Sequence, residues 1–293
     1  MRIAKYHGTG NDFVMVEDME GSLQLESELI AALCDRHRGV GADGLIRIAR
    51  ADGADFFMDY SNANGEVAEM CGNGIRCLAK FVYDRGLTTA REIDVQTRAG
   101  VKHLVLHVQN GVVETVTVDM GPPALERRAI PMTGGDLAAT FVGQPLEVAG
   151  RTYLATAVSM GNPHCVLFLE PADDLGAFDV PGIGGEVEHL ARFPNRANVE
   201  FVQVVDSVIH LRVWERGSGE TMACGTGACA ALVAASLGGL TGREADIRFP
   251  GGLLHVRWAD DDHLVMTGPA VCVFDAELDP GWLARVLPVG VER

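Results

Sequence analysis

The chain has 293 residues, long enough for two domains of ordinary size and able to bury roughly three-quarters of its unfolded surface. Apolar residues make up 47% and charged residues 22%, the balance of a globular protein, and no stretch approaches the ~18 apolar residues that a membrane-spanning helix needs. A net charge of −16 without any basic run excludes a nucleic-acid backbone as partner, and the N-terminal MRIAKYHGTGNDF has no apolar secretion segment, so a cytoplasmic protein is expected.

In chain order, alternating or β-branched runs predict strands over 2–7, 13–16, 45–48, 56–60, 93–97, 101–108 and 112–119. A helix is expected over 27–39, with Leu29, Ile30 and Leu33 on one face and Gly39 at its end. After Cys71, the residues Ile75, Leu78, Ala79 and Val82 recur at helical spacing and predict an amphipathic helix that stops at Gly86. DMGPPAL at 119–125 reads as a crossing to a second domain. Strands follow at 153–158, 166–169, 199–205, 209–214, 246–249, 254–258 and 264–267, with a loop and short helix within 171–194. The helix after Cys224 is small and apolar almost all round from 228 to 237, so it has no solvent face and should be enclosed. TGPAVCVFD at 267–275 crosses back, and 279–287 reads as a terminal helix.

The two halves echo each other. MCGNGIRC at 70–77 resembles ACGTGACA at 223–230, with the cysteines 153 residues apart. GTGNDFVMV at 8–16 resembles SMGNPHCVLF at 159–168, with Asn11 and Asn162 offset by 151. Asn62 lies nine residues before Cys71, and Glu215 nine before Cys224. Similar echoes in one order indicate duplication. The expected fold is α+β, with two pseudo-symmetric domains, each a curved, mostly antiparallel sheet wrapped around a central helix. The expected boundaries are 1–119 plus 269–293 for the first domain and 120–268 for the second.

Seven cysteines, an odd number at loose spacing and with no C-x-x-C, favour reduced thiols over a disulfide framework or a structural zinc site, and no metal is expected. Cys71 and Cys224 differ from the others because glycines follow each at a helix start. Helix starts present N–H groups without an acceptor inside the helix and about half a positive charge. Gly72, Asn73 and Gly74, like Gly225, Thr226 and Gly227, leave that backbone open to a carboxylate. The same field is expected to lower a thiol from ~8.5 toward neutrality. Two such ends gripping one carboxylate would place its α-carbon between two thiols. One removes the α-proton and the other protonates the opposite face, so the centre inverts. Charge developing on the carboxylate is stabilised by the helix ends, so no electron-sink cofactor is required. No dinucleotide or P-loop fingerprint occurs, and no cofactor is expected.

GTGNDFV, RHRGVGADGL, NANGEVAEMCGNGIRC, SMGNPHCV, FPNRANVEFV and VWERGSGETMACGTGACA together resemble the diaminopimelate epimerases, in order from residue 8 to residue 230. The resemblance implies a homodimeric, pyridoxal-phosphate-independent isomerase that interconverts LL- and meso-diaminopimelate on the route to lysine and peptidoglycan. It implies that Cys71 and Cys224 are the catalytic thiols, assisted by His164 and Glu215. It assigns Asn11, Asn62, Asn162 and Asn198 to substrate binding, with Gly72-Asn73 and Gly225-Thr226 as anion cradles and Glu215-Arg216 at the mouth of the second. Asparagine both donates and accepts, which suits a zwitterion, and Arg216 suits a distal carboxylate. Many members carry a substrate-contacting glutamine where this chain has Gly44, so that contact is absent or replaced here.

Cys77 and Cys229 read as core, and Cys34, Cys165 and Cys272 as inert. Proline-type racemases are the competing chemistry. They typically have His where this chain has Asn73, and Ser-Pro where it has Met222-Ala223. A silent amino-acid-binding module on the same scaffold is the non-enzymatic alternative, and the retention of both cysteines argues against it.

Overall fold

The structure, a computed structural model, describes residues 1–286. The chain divides into two compact units: Met1–Val118 with the segment from Pro269 onward, and Asp119–Gly268. In chain order the elements are β1 (Arg2–Gly8), β2 (Asn11–Glu17), α1 (Ser27–Cys34), β3 (Gly44–Ala49), β4 (Phe56–Asn62), β5 (Val67–Ala68), α2 (Gly72–Asp84), β6 (Glu92–Thr97), β7 (Gly100–Gln109) and β8 (Val112–Gly121). They continue as β9 (Gln144–Val148), β10 (Arg151–Ser159), β11 (Pro163–Phe168), α3 (Val180–Glu188), β12 (Asn198–Val205), β13 (Val208–Glu215), β14 (Gly219–Thr221), α4 (Gly225–Leu237), β15 (Glu244–Phe249), β16 (Gly252–Trp258) and β17 (Leu264–Pro269). The chain then returns to the first unit as β18 (Val271–Glu277) and α5 (Pro280–Val286).

Both units use one pairing pattern. In the first, the order is β18-β1-β2-β3-β4-β6-β7-β8, antiparallel except at β2–β3 and β4–β6. In the second, it is β9-β10-β11-β12-β13-β15-β16-β17, antiparallel except at the matching pairs β11–β12 and β13–β15. The short strands β5 and β14 pair with β4 and β13. The parallel pairs require crossovers, and α1, α2, α3 and α4 lie in those connections.

Each sheet packs around one helix. The α2 helix lies against β1, β2, β3, β7 and β18, and α4 against β10, β11, β12, β13, β15 and β16. The α4 helix is buried from Gly227 to Ala235, as its all-round apolar sequence requires. Each fully buried Leu, Ile or Val contributes roughly 1.5–3 kcal/mol, so these helices carry much of each core. Although its sequence is amphipathic, α2 is also enclosed, with Gly72 through Val82 all buried. Its two cations are satisfied inside: Lys80 Nζ donates to Val113 O (2.7 Å) and pairs with Asp84 (2.7 Å), while Arg76 bonds to its own helix start.

Three local differences from the sequence reading have physical causes. The α1 helix stops at Cys34 rather than Gly39, because the Asp35 carboxylate accepts from the N–H groups of His37 (2.8 Å) and Arg38 (2.9 Å) and turns the chain. The segment expected only to cross back forms β18, paired with β1 from Arg2↔Glu277 to His7↔Val271. β9 forms where no strand is expected, because β10 offers it an edge from Arg151↔Val148 to Ala155↔Gln144. The terminal helix runs Pro280–Val286; its expected last residue, 287, and the remainder to 293 lie outside the described residues.

Candidate active site

Cys71 is the N-cap of α2, an extended residue (φ −138°, ψ 117°) whose carbonyl accepts from Ile75 N at 2.9 Å. Its thiol donates to Asn11 Oδ1 at 3.5 Å, and Asn73 Nδ2 donates to the same oxygen at 3.2 Å. Asn11 in turn donates from Nδ2 to Asp43 Oδ2 at 2.7 Å. A left-handed Thr9-Gly10 turn (φ 51° and 82°) delivers Asn11 to this position. Beneath the cap, the fully buried Arg76 guanidinium donates to Gly72 O (3.0 Å), Asn73 Oδ1 (3.0 Å) and Thr9 Oγ1 (3.2 Å). That cation locks the helix start and the turn together.

Cys224 caps α4 in the same conformation (φ −130°, ψ 119°), with Ala228 N donating to its carbonyl at 2.9 Å. Asn162 Nδ2 donates to Thr226 Oγ1 at 3.3 Å, and the same hydroxyl is hydrogen-bonded to Cys224 Sγ at 3.4 Å. Asn162 Oδ1 accepts from His164 Nε2 at 3.0 Å, and His164 Nδ1 lies 2.6 Å from Glu200 Oε1. Neither His164 nor Glu200 has exposed surface, and among the described residues Glu200 Oε2 has no hydrogen-bond partner. Burial raises the Glu200 carboxyl, and His164 opposes that rise. Gly227 makes this packing possible: a Cβ there would lie 2.8 Å from Glu200 Oε1 and 3.3 Å from Cys224 Cβ.

Glu215 ends β13 and accepts a hydrogen bond from Thr221 Oγ1. Its carboxyl is raised by burial, against hydrogen bonds from Thr221 and Cys224. The Cys224 thiol stands well above its ordinary value, first because it is buried and then because Glu215 is negative beside it. Thr226 and the Gly227 N–H pull the other way and do not overcome this. The expectation of a thiol lowered by the helix field is therefore corrected at Cys224: desolvation and a neighbouring carboxylate outweigh the helix end.

Asn198 Nδ2 donates to Pro163 O at 3.0 Å, and its Oδ1 accepts from Arg216 N at 2.9 Å. Asn198 thus holds the loop after Glu215 rather than projecting from it. The exposed Arg216 donates from Nη1 to Asn195 O at 3.1 Å. Asn62 sits exposed at the end of β4 and accepts from Tyr60 Oη at 2.9 Å.

The strand registers relate the two clusters. Phe13 pairs with Gly44 as His164 pairs with Asn198, and Gly44 pairs with Asn62 as Asn198 adjoins Glu215 beyond Val199↔Trp214. Ile46 and Glu200 are counterparts: a Cβ on Gly74 would meet Ile46 Cδ1 at 2.6 Å, as one on Gly227 would meet Glu200. The first unit thus has an apolar Phe13–Ile46 floor where the second has His164–Glu200.

Within each unit, the structure brings together the residues singled out in the sequence: Asn11, Gly72 and Asn73 around Cys71, and Asn162, His164, Glu215, Gly225 and Thr226 around Cys224. Arg76, Asp43, Tyr60 and Glu200 were not anticipated. The only available signal was a charge inside an otherwise apolar pattern, at Arg76 in CGNGIRC and at Glu200 in NVEFV.

The family profile described as diaminopimelate epimerase matches residues 3–126 and 156–273. The chain belongs to the diaminopimelate epimerase family. The diaminopimelate epimerase of Acetivibrio thermocellus is 46% identical over 281 residues, covering 95% of this chain and 99% of the relative. That of Pelotomaculum thermopropionicum is 48% identical over 280 residues, covering 94% and 98%. Among solved structures, a probable proline racemase from Agrobacterium radiobacter superposes with a TM-score of 0.69 at 13% identity, over 95% of this chain and 93% of that one. A phenazine biosynthesis protein of the PhzF family from Bacillus anthracis gives 0.65 at 18% identity, over 95% and 98%. At such identities these neighbours establish the shared α+β fold and nothing about substrate. Membership of the diaminopimelate epimerase family also separates the chain from the proline-type alternative.

Proposed function

We propose that this member of the diaminopimelate epimerase family interconverts LL- and meso-diaminopimelate by a two-thiol proton exchange, in the formation of lysine and of a peptidoglycan precursor. The observation that carries the reading is the pair of cysteine-capped helices, each with an asparagine hydrogen-bonded at its first turn, in a chain 46–48% identical to named epimerases over nearly its whole length. The reacting carboxylate binds at the helix starts, where N–H groups and the helix dipole favour an anion. Cys224, held as a thiol by burial and by Glu215, is the proton donor in one direction. In the other direction its proton passes to Glu215 as the thiolate forms, and the Thr226 hydroxyl stabilises the sulfur. Cys71 works on the opposite face of the α-carbon: as a thiolate it takes the α-proton when Cys224 donates, and as a thiol, its S–H hydrogen-bonded to Asn11 Oδ1, it returns that proton when Cys224 is the base. Asn62 and Arg216 serve the remaining polar groups of a two-headed substrate, and Asn198 positions the loop that carries Arg216.

The chemistry proceeds without pyridoxal phosphate and the protein works in the cytoplasm as a homodimer. Exposed Val271, Val273 and Phe274 on β18 support association through that strand. Light scattering on the purified protein tests the dimer. For the reaction, the purified chain is incubated with meso-diaminopimelate in D₂O with no added cofactor. Deuterium at the α-carbon and appearance of the LL isomer are expected. No exchange defeats the reading, and exchange into proline instead would favour the proline-type alternative.

A further inference from the structure

One carboxylate of the second unit is buried away from the thiol chemistry. Glu188, the last residue of α3, is only 3% exposed. Burying a charge is costly, and the end of a helix is where its dipole disfavours an anion. The last turn of α3 carries no basic residue to offset this. Helix stability therefore gives no reason for an acid at that position, but its partners do.

Glu188 Oε2 accepts from Trp214 Nε1 at 2.7 Å, and Oε1 accepts from Gly217 N at 3.1 Å. Trp214 and Gly217 flank the Glu215-Arg216 pair, so one carboxylate binds the chain on both sides of that pair. The exposed Arg196 guanidinium adds an ion pair to Oε1 at 3.6 Å. Close packing brings α3 into reach: a Cβ on Gly184, one turn before Glu188, would lie 2.6 Å from Trp214 Cβ. Glu215 is also held by its pairing with Gly219 across the turn from β13 to β14, and by Thr221. Arg216 and Gly217 lie in the turn itself. They are held by Asn198 Oδ1 on Arg216 N, Asn195 O on Arg216 Nη1 and Glu188 Oε1 on Gly217 N.

We propose that Glu188 is a positioning residue that fixes the turn carrying Arg216, and so the reach of that guanidinium toward the distal carboxylate of the substrate. This rests on the reading of Arg216 as the distal clamp and adds the group that holds the clamp in place. The polarity of every partner is settled. An indole N–H, a backbone N–H and a guanidinium only donate, and a carboxylate accepts at both oxygens. A glutamine has the same shape but one accepting end, so its nitrogen would face Trp214 or Gly217 hydrogen to hydrogen.

The test uses Glu188→Gln, Trp214→Phe, the two together, and Arg216→Ala in the full-length protein, with kcat and KM measured on meso-diaminopimelate and a thermal melt of each. Glu188→Gln is expected to raise KM about five- to ten-fold, with kcat within about two-fold of the parent. Trp214→Phe keeps an aromatic ring against α3 but removes the N–H. In the double variant the glutamine nitrogen can face that ring while its oxygen accepts from Gly217 N. The double variant is therefore expected to return to within about three-fold of the parent KM. Two lost packing contacts would add, whereas matched donors and acceptors let the second substitution repair the first. If Arg216→Ala raises KM but Glu188→Gln is silent, lowers kcat alone, or is not relieved by Trp214→Phe, the positioning role is overturned while Arg216 stands. Should Glu188→Gln alone not fold, the double variant decides: folded and within that range of the parent KM, it supports the proposal, and any other result overturns it. If Arg216→Ala leaves KM unchanged, Arg216 is not a substrate contact and both readings fall together.

Discussion

His164 Nδ1 lies 2.6 Å from Glu200 Oε1, and neither side chain has any surface open to solvent. Because His164 Nε2 donates to Asn162, one further proton must lie between Nδ1 and the carboxylate, so the pair is neutral overall whichever atom holds it. Removing one partner strands the other, which for buried charges costs roughly 3–5 kcal/mol. His164→Phe, which copies Phe13 of the first unit, is therefore expected to lower the unfolding free energy by about 3 kcal/mol at pH 8. The loss should shrink as pH falls, because the stranded Glu200, raised by burial, folds readily only when protonated. Adding Glu200→Ile, the counterpart of Ile46, should restore stability while leaving activity low. Urea titrations of the single and double variants at pH 5.5 and 8 provide the measurement, and a double variant no more stable than the single would contradict the argument.

Cys224 is held as a thiol by burial first and by Glu215 second. Glu215→Gln removes the second cause and keeps the first. Carbamidomethylation of Cys224 by iodoacetamide at pH 8.5, followed by peptide mass spectrometry, should run several-fold faster in Glu215→Gln than in the parent. Epimerisation should fall by a factor on the order of 10²–10³, the scale of a lost acid–base partner. Equal alkylation rates would show that the carboxylate does not govern this sulfur.

Burial raises four thiols together: Cys34 to about 11, Cys77 to about 12, and Cys165 and Cys224 upward as well. An unfolded thiol ionises near ~8.5, so above that pH the unfolded chain sheds protons that the folded chain keeps. The sign is fixed: the stabilisation is complete below the unfolded value and is lost as pH climbs toward the folded ones. Each thiol contributes a slope of at most about 1.4 kcal/mol per pH unit. Urea midpoints measured with reductant from pH 7.5 to 10 should decline steeply above 8.5, and Cys77→Ala, with one such group fewer, should decline less steeply. A flat profile would refute this.

Gly227→Ala would improve helix propensity by about 1 kcal/mol in isolation. Here the new Cβ would sit 2.8 Å from Glu200 Oε1 and 3.5 Å from Cys224 Sγ. We expect lower stability, and kcat down at least about ten-fold, because the carboxylate or the capped cysteine must shift. Unchanged kinetics would mean that this close approach has no bearing on Cys224.

The strands legible in the sequence were those with one apolar face, such as β7, β13 and β16. β18 escaped because Val271, Val273 and Phe274 are exposed and Asp275 interrupts the pattern, so it reads as a connection until β1 is there to pair with it. The parallel pairs β2–β3 and β11–β12 leave no local trace, since their register is set across long crossovers. At the site, the cysteines and asparagines stood out because glycine strips the helix starts and because the pattern occurs twice. Glu200 did not. An acid within a strand reads as a solvent-facing position; only the position of His164 reveals what it does. The lowered thiol was a wrong expectation at Cys224 because a sequence displays the helix dipole but not the depth of burial.

The dry Phe13–Ile46 floor beneath one cysteine and the His164–Glu200 floor beneath the other make the duplicated halves dissimilar where it matters. Two matched acids would leave any difference between the two directions to the substrate's distal centre alone. The unmatched floors add a difference of the protein's own, so proton removal from the two stereoisomers should differ in commitment, and the primary deuterium isotope effect measured from LL-diaminopimelate should not equal that measured from the meso form.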